Sequence, residues 1–338
     1  MRKALYLSLI LNLCFLFHLA RAQSPLPSRL VATILVKPTK PEFLASTEVA
    51  RGVGSALIVS GEEGLLLAPA YLVQGAHWID VFLPDGRQLG ARLLALDHLS
   101  GLAVLKTRAF GREKAFFRKK IPAVGERLFL LARPRLGLVL REGVVTESPV
   151  RVSLRGFSLA SFFATSLSLK GAGSAPVFDQ EGRVAGFALD LPNLAGSSEV
   201  KVVPAYLLKL LLEKGREEEQ IAWAWLGVEG FKLLPTLARE LKIPVSSGLL
   251  LTRVYPGSPA AKAGLRGAQK LVSFGNFLFP VGGDVLLSLD GKSISSQAQL
   301  ERVLFALKPG KLTEIKIWRH GKIKKIKIYL GRRVFVQP

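Results

Sequence analysis

Side chains able to do nucleophilic or acid–base chemistry are few in this chain, and they are not gathered by any short motif. Ser174 sits in the glycine-rich stretch Gly171-Ala172-Gly173-Ser174-Ala175-Pro176. A serine hydroxyl becomes a nucleophile only when a base within hydrogen-bond reach takes its proton and a third group orients that base. The imidazoles outside the first 22 residues are His77, His98 and His320, far apart in the chain. His98 follows Asp97 directly, so a hydrolase built on Ser174 and His98 is one reading, and a pair of ordinary surface histidines is the other. Cys14 is the single cysteine. Scattered histidines without cysteine give no zinc site, and nothing in the pattern calls for a cofactor.

The first residues set the compartment. Arg2 and Lys3 precede an apolar run from Ala4 to about Leu19, and Ala20-Arg21-Ala22 supplies a small-residue cleavage pattern. This predicts a secretory signal peptide over 1–22, with an uncleaved anchor as the competing reading. The protein is expected outside the cytoplasm, in the periplasm or tethered to the membrane if the segment stays on. Removing 1–22 removes Cys14, so no disulfide can form. It also lowers the net charge from +22 to +19, by loss of Arg2, Lys3 and Arg21. A field of that sign favours anionic partners, such as an acidic envelope surface; export argues against nucleic acid. A solvated surface rich in lysine is the plainer explanation.

The elements that would position these groups are mostly β. After an extended N-terminal segment over 23–46, short apolar runs broken by turns begin at Val53. Examples are Ser55–Val59, Gly64–Leu67, Gln88–Leu96, Arg127–Ala132, Leu138–Thr146, Val150–Leu154 and Val184–Leu189, a spacing that predicts barrels or a sandwich. Pro204–Lys214 reads as a helix with Tyr206, Leu207, Leu210 and Leu211 on one stripe. The polar stretch 213–221 reads as a linker. A second module follows over 222–331, with a tail over 332–338. It includes a helix at Gln297–Leu307 and a hairpin around His320-Gly321, in which Ile315, Ile317, Ile323, Ile326 and Ile328 alternate with lysines.

In this order the segments resemble the HtrA/Deg family of exported trypsin-like serine proteases with a PDZ domain. The first half is carried by Gly54-Ser55-Ala56, the strand running through Leu67-Ala68-Pro69-Ala70 to Tyr71, Leu102-Ala103-Val104-Leu105-Lys106 and the loop Gly171–Pro176. The second half is carried by Trp225-Leu226-Gly227-Val228, by Val254–Leu265 with its Tyr-Pro-Gly-Ser-Pro-Ala-Ala core, and by Gly283–Lys292. The resemblance implies a mostly β fold: a trypsin-like double β-barrel over 47–212, then a PDZ domain.

The chemistry the resemblance implies is missing residue by residue. Tyr71 stands at the histidine position, Gly101 at the aspartate position and Gly173 at the serine position. Acyl transfer on this fold needs a hydroxyl, an imidazole and a carboxylate acting together, and a phenol is a poor base at neutral pH. Ser174, one residue past the nucleophile position, is expected to hydrogen-bond within its own turn. The expectation is a catalytically inactive protein that binds polypeptide C-termini or unfolded segments, as scaffold, chaperone or adaptor in envelope quality control. A serine-type endopeptidase using Ser174 and a basic envelope structural protein are the alternatives. The resemblance places a peptide carboxylate at Leu226-Gly227-Val228 and a groove wall at Leu300 and Leu304. Ordinary core is the other reading of both leucines. Homotrimers through the barrel domain, or assembly with an active homologue, are also implied. The apolar stretch 266–282, with Val272, Phe274, Phe277, Leu278 and Phe279, is longer than a minimal connection and could cover either domain.

Overall fold

Short runs of leucine, valine and alanine, many of them bounded by glycine turns, pair to make two closed barrels. The computed structural model describes residues 26–38, 52–134, 136–154, 157–190, 199–274 and 277–333. The expected signal peptide and the last five residues of the expected tail lie outside them.

The first barrel has strands β1 (Val31–Pro38), β2 (Val53–Ser60), β3 (Leu65–Pro69), β4 (Ala76–Phe82), β5 (Gln88–Asp97) and β6 (Leu102–Lys106), in the order β1-β2-β3-β6-β5-β4, closed by β4 on β1. A one-turn helix α1 (Ala70–Val73) follows β3. The second barrel has β7 (Arg127–Ala132), β8 (Val139–Leu154), β9 (Phe157–Thr165), β10 (Ala175–Phe178), β11 (Val184–Ala188) and β12 (Val200–Pro204), in the order β10-β11-β12-β9-β8-β7. Closure removes open sheet edges from both. Two sequence expectations change here. Residues 31–38, read as part of an extended lead-in, are β1 and complete the first barrel. The two runs at 138–146 and 150–154 are one strand, β8, whose register against β9 shifts three times.

Helix α2 (Ala205–Lys214) buries Leu207, Leu208 and Leu211 against the second barrel. The expected linker is then held, not free. Leu96 donates its N–H to the Glu219 carbonyl at 2.9 Å and accepts from the Ile221 N–H at 3.1 Å, which pins 219–221 beside β5. Side-chain types give no hint of this, because backbone groups make both bonds.

The second module is a PDZ-type sheet ordered β14 (Val228–Lys232), β15 (Leu249–Val254), β18 (Val285–Leu289), β20 (Leu312–Arg319), β21 (Lys322–Tyr329), with β19 (Lys292–Ser293) beside β18. It carries helices α3 (Pro235–Glu240), α4 (Pro259–Lys262) and α5 (Gln297–Phe305). Strands β13 (Trp223–Trp225) and β22 (Gly331–Arg333) clasp its two ends together, so Arg332 and Arg333 belong to the fold and not to a tail. The stretch 266–282 forms the hairpin β16 (Lys270–Phe274) and β17 (Phe277–Val281), which packs on its own module. Phe279 meets Phe231 with ring centroids 5.8 Å apart, and Val281 joins Leu233 and Leu237. On the β20–β21 hairpin Ile315, Ile317 and Ile328 are buried, whereas Ile323 is exposed, because the Lys324-Lys325 pair breaks the alternation and turns it to the outer face.

Candidate functional site

The structure brings Tyr71 beside Gly101 and beside Ser174, the neighbour of Gly173, between the barrels. Tyr71 lies on α1, started by Pro69 at the end of β3. The Ala70 N–H donates to the Gly101 carbonyl at 2.8 Å, which ties that turn to the β5–β6 corner. Opposite, the Tyr71 hydroxyl donates to Ser174 Oγ at 3.2 Å, and the Asp190 N–H donates to the same oxygen at 2.7 Å. A side chain at Gly101 would start 3.5 Å from Leu189, the neighbour of Asp190. Ser174 is buried and does not hydrogen-bond within its own turn as expected. It links α1 to the strand end after β11 instead.

What fills the cleft is therefore a phenol and an alcohol. Burial pushes the Tyr71 hydroxyl further up from its ordinary value, the hydrogen bond to Ser174 pulls it partly back, and the Asp190 charge pushes it up again. A group that holds its proton this tightly cannot remove one from Ser174 near neutral pH. The known partners of the Ser174 oxygen are Tyr71 and Asp190, and neither offers an imidazole. At Gly173 the backbone has φ +65°, and a Cβ there would meet nothing within 4 Å. The site has room for a side chain but holds the backbone in a region where L residues are strained. The Gly173 and Ala172 N–H groups both donate to the Leu169 carbonyl at 2.9 Å. In a working site of this fold, the amide at the nucleophile position faces the developing oxyanion; here it is spent inside the loop.

His98 stands beside Asp97, but Asp97 is turned away from this cleft. Its carboxylate is fully buried and accepts from the Leu99 N–H at 3.0 Å, the Ser100 N–H at 3.1 Å and the Trp223 indole at 2.8 Å. Burial raises its pKa against the pull of those donors. Trp223 begins the PDZ module, packs edge-on to Phe305 of α5 at 5.0 Å and lies under Lys214 at 5.3 Å. It joins one hydrophobic core that runs from both barrels into the module.

A second latch lies on α5. Glu301 is 2% exposed, and its carboxylate accepts from the Ala160 N–H at 2.9 Å, Ser161 Oγ at 2.5 Å and Gln297 Nε2 at 3.3 Å. Ala160 and Ser161 belong to β9 of the second barrel, so this carboxylate crosses the domain boundary. Burial drives its pKa up, with the hydrogen bonds and Arg333 opposing. Sequence reading missed Glu301, and it gave Asp97 no part beyond standing next to His98, without the contact to Trp223. The available signal was an acid at the middle of the i, i+4 stripe Gln297, Glu301, Phe305, where a solvent-facing helix would not put a phenylalanine.

The latch bears on the expected peptide groove. β14 is an edge strand, and its outer edge is capped: the Gly230 N–H donates to Gln297 Oε1 at 3.2 Å, Gln297 Nε2 reaches the Val228 carbonyl at 3.5 Å, and Arg151 of β8 donates to the Gly230 carbonyl at 3.2 Å. Leu226 and Val228 are buried, and Leu300 and Leu304 sit in the module's core with them. A cavity of about 20 Å³ lies beside Gly227, Leu304 and Arg333. Gly227 takes φ +83°, and a Cβ there would fall 2.1 Å from Ser258, so glycine is required by that close approach.

Two six-stranded barrels with a cleft between them, followed by a sheet with one edge strand against a helix, define a trypsin-like peptidase fold joined to a PDZ domain. Comparison with known proteins agrees. Residues 54–187 match the trypsin-like peptidase domain model and residues 230–330 the PDZ domain model. Along 299 residues the chain is 26% identical to a probable periplasmic serine endoprotease, DegP-like, of Halomonas elongata, covering 87% of this chain and 59% of that protein. It is 24% identical over 285 residues to the periplasmic pH-dependent serine endoprotease DegQ of Escherichia coli, covering 82% of this chain and 59% of the relative. The chain thus spans just under three fifths of these curated relatives. Among solved structures, HtrA-type protease AlgW with a tripeptide superposes with a TM-score of 0.68 at 24% identity, covering 91% of this chain and 95% of that one. This chain has the domain arrangement of the HtrA/DegP-type proteins.

Proposed function

We propose that this chain is an HtrA-like protein of the bacterial envelope that does not cut peptide bonds and instead binds polypeptide through its PDZ domain. The observation that carries the first half is the Tyr71–Ser174–Asp190 hydrogen-bond set, with Gly173 at the nucleophile position and its N–H turned to Leu169. In subtilisin, loss of the nucleophile alone costs about 10⁶ in turnover; here nucleophile, base and orienting carboxylate positions are all changed. Support for polypeptide binding comes from HtrA-type relatives whose structures hold a tripeptide or a decapeptide. Support for export comes from the names of the relatives, which are periplasmic, and from the first 22 residues. Among the described residues no helix is long and apolar enough to cross a membrane.

The capped β14 edge adds a condition. A strand added to that edge needs the Val228 carbonyl and both Gly230 groups, so capture of a C-terminus requires Gln297 and Arg151 to let go. The protein as folded is the closed form: parting the module from the second barrel frees Arg151, whereas Gln297, on α5 of the module itself, must also turn aside from β14. Oligomers through the barrel domain, or assembly with an active homologue, belong to this reading.

The test is purified protein incubated with an unfolded casein substrate and, separately, with a fluorophosphonate probe. No degradation and no labelling are expected. The serine endopeptidase reading is favoured instead if the probe labels Ser174 and Ser174→Ala abolishes both labelling and digestion.

A further inference from the structure

A cleft of about 740 Å³ opens between the two domains, away from both sites above. One wall is α2 of the barrel domain, with Tyr206, Lys209 and Leu210; the other is α5 of the PDZ domain, with Gln299 and Arg302. Lys119 and Lys292 line it as well. A volume of this order suits a small ligand.

Its charge is one-sided. Arg118 also lines it, but that guanidinium is already paired with Glu126 at 2.6 Å. Lys119, Lys209, Lys292 and Arg302 remain, and among the described residues none forms an ion pair with a carboxylate. Glu213 is the one acid in the lining. Two of the four cations are steered by aromatic faces, Arg302 over Tyr206 at 5.2 Å and Lys209 over Phe117 at 5.9 Å, which orders their long stems.

Gln299 adds a neutral donor. The Gln299 carbonyl oxygen is taken by the Ser295 N–H and hydroxyl at 2.9 and 2.8 Å, so its amide NH₂ is what it can offer. The Tyr206 hydroxyl is buried beside Ser161 and Arg302 with no surface open to the cleft, so Tyr206 contributes its ring and not its hydroxyl. A cleft supplying many donors and nearly no acceptors fits a compact anion with several oxygens.

We propose that this interdomain cleft binds a phosphate-bearing ligand, its phosphate held by Lys119, Lys209, Lys292 and Arg302. The inference stands apart from the polypeptide-binding reading, since no groove or triad residue takes part. The ligand chemistry could come from a soluble phosphate ester or from the headgroup of an anionic lipid.

The test is calorimetric titration of the full chain with inorganic pyrophosphate, with citrate as a carboxylate control, beside co-sedimentation with vesicles containing phosphatidic acid. Pyrophosphate should bind at least tenfold more tightly than citrate, weaken as salt is raised, and lose at least tenfold in Lys209→Gln/Arg302→Gln. Lys119→Gln/Lys292→Gln, altered only at exposed positions, should show the same loss if the first variant folds poorly. Lys324→Gln/Lys325→Gln on the β20–β21 hairpin should bind as wild type. Vesicle binding lost in the cleft variants without pyrophosphate binding would assign the lipid source. Equal binding of citrate, equal loss in the hairpin variant, or no binding of either phosphate probe would overturn the proposal.

Discussion

Replacing Glu301 by alanine should convert the closed PDZ groove into an open one. The carboxylate receives two donors across the domain boundary, Ala160 N–H and Ser161 Oγ–H, and one within the module, Gln297 Nε2. At about 1–1.5 kcal/mol net per bond, the two crossing bonds hold the domains together by roughly 2–3 kcal/mol. Losing them shifts the docked–undocked balance by about 30- to 150-fold. Undocking removes Arg151 from the Gly230 carbonyl, and the same variant takes from Gln297 the carboxylate that holds its amide, so apparent peptide affinity scales with the undocked fraction and should rise by up to the same factor. The assay is fluorescence anisotropy with a labelled pool of random decapeptides bearing free C-termini, set against the same pool amidated. Hydrogen exchange of the Gly230 amide, capped by Gln297, is followed in parallel. The reasoning is refuted if Glu301→Ala binds free-carboxyl peptides no better than wild type while Gly230 exchange speeds up. That outcome would mean that an open edge is not a binding edge.

Three further outcomes follow from the same geometry. Ser174→Ala leaves the Tyr71 hydroxyl and the Asp190 N–H without their shared acceptor, so thermal unfolding should show a loss of about 1–3 kcal/mol, with no change in any residual digestion. Gly173→Ser should cost about 1–2 kcal/mol because the backbone there is left-handed, and it should create no protease alone; digestion by that single variant would sink the argument from the missing base. Burial raises the folded-state pKa of both Asp97 and Glu301, so the folded chain holds these protons more tightly than the unfolded one. Stability is then greatest below the unfolded values and falls as pH climbs from there through the folded values, by at most about 1.4 kcal/mol per pH unit per group. Denaturant midpoints measured from pH 4 to 8 should decline with that sign in wild type and flatten in Asp97→Asn/Glu301→Gln.

The sequence allowed the two barrels and the PDZ module to be read, because turn glycines and short apolar runs are local signals in a fixed order. The segments around Tyr71, Gly101 and Gly173 stand out for the same reason: each lies just after or just before a short apolar strand, β3, β6 and β10. What escaped was set by distance along the chain. Asp97 meets Trp223 across 126 residues and Glu301 meets Ser161 across 140, and no window of sequence holds both partners. The linker looked free because Glu217–Gln220 is polar, yet backbone groups fasten it to Leu96 regardless of side chain. β1 was lost among prolines at 38 and 41, since a strand cut off by Pro38 reads like an extended arm. Ile323 lies on the outer face because Lys324-Lys325 interrupts the alternation that Ile326 and Ile328 follow.

The pairing of β13 with β22 has a mechanical meaning. Trp223 lies opposite Arg333 and Trp225 opposite Gly331, so the chain enters and leaves the module at the same end of one short ladder. Tension applied to both ends would peel that ladder rung by rung, not shear it all at once, and the module would yield first at its own doorway while the β15–β18–β20 sheet stayed whole.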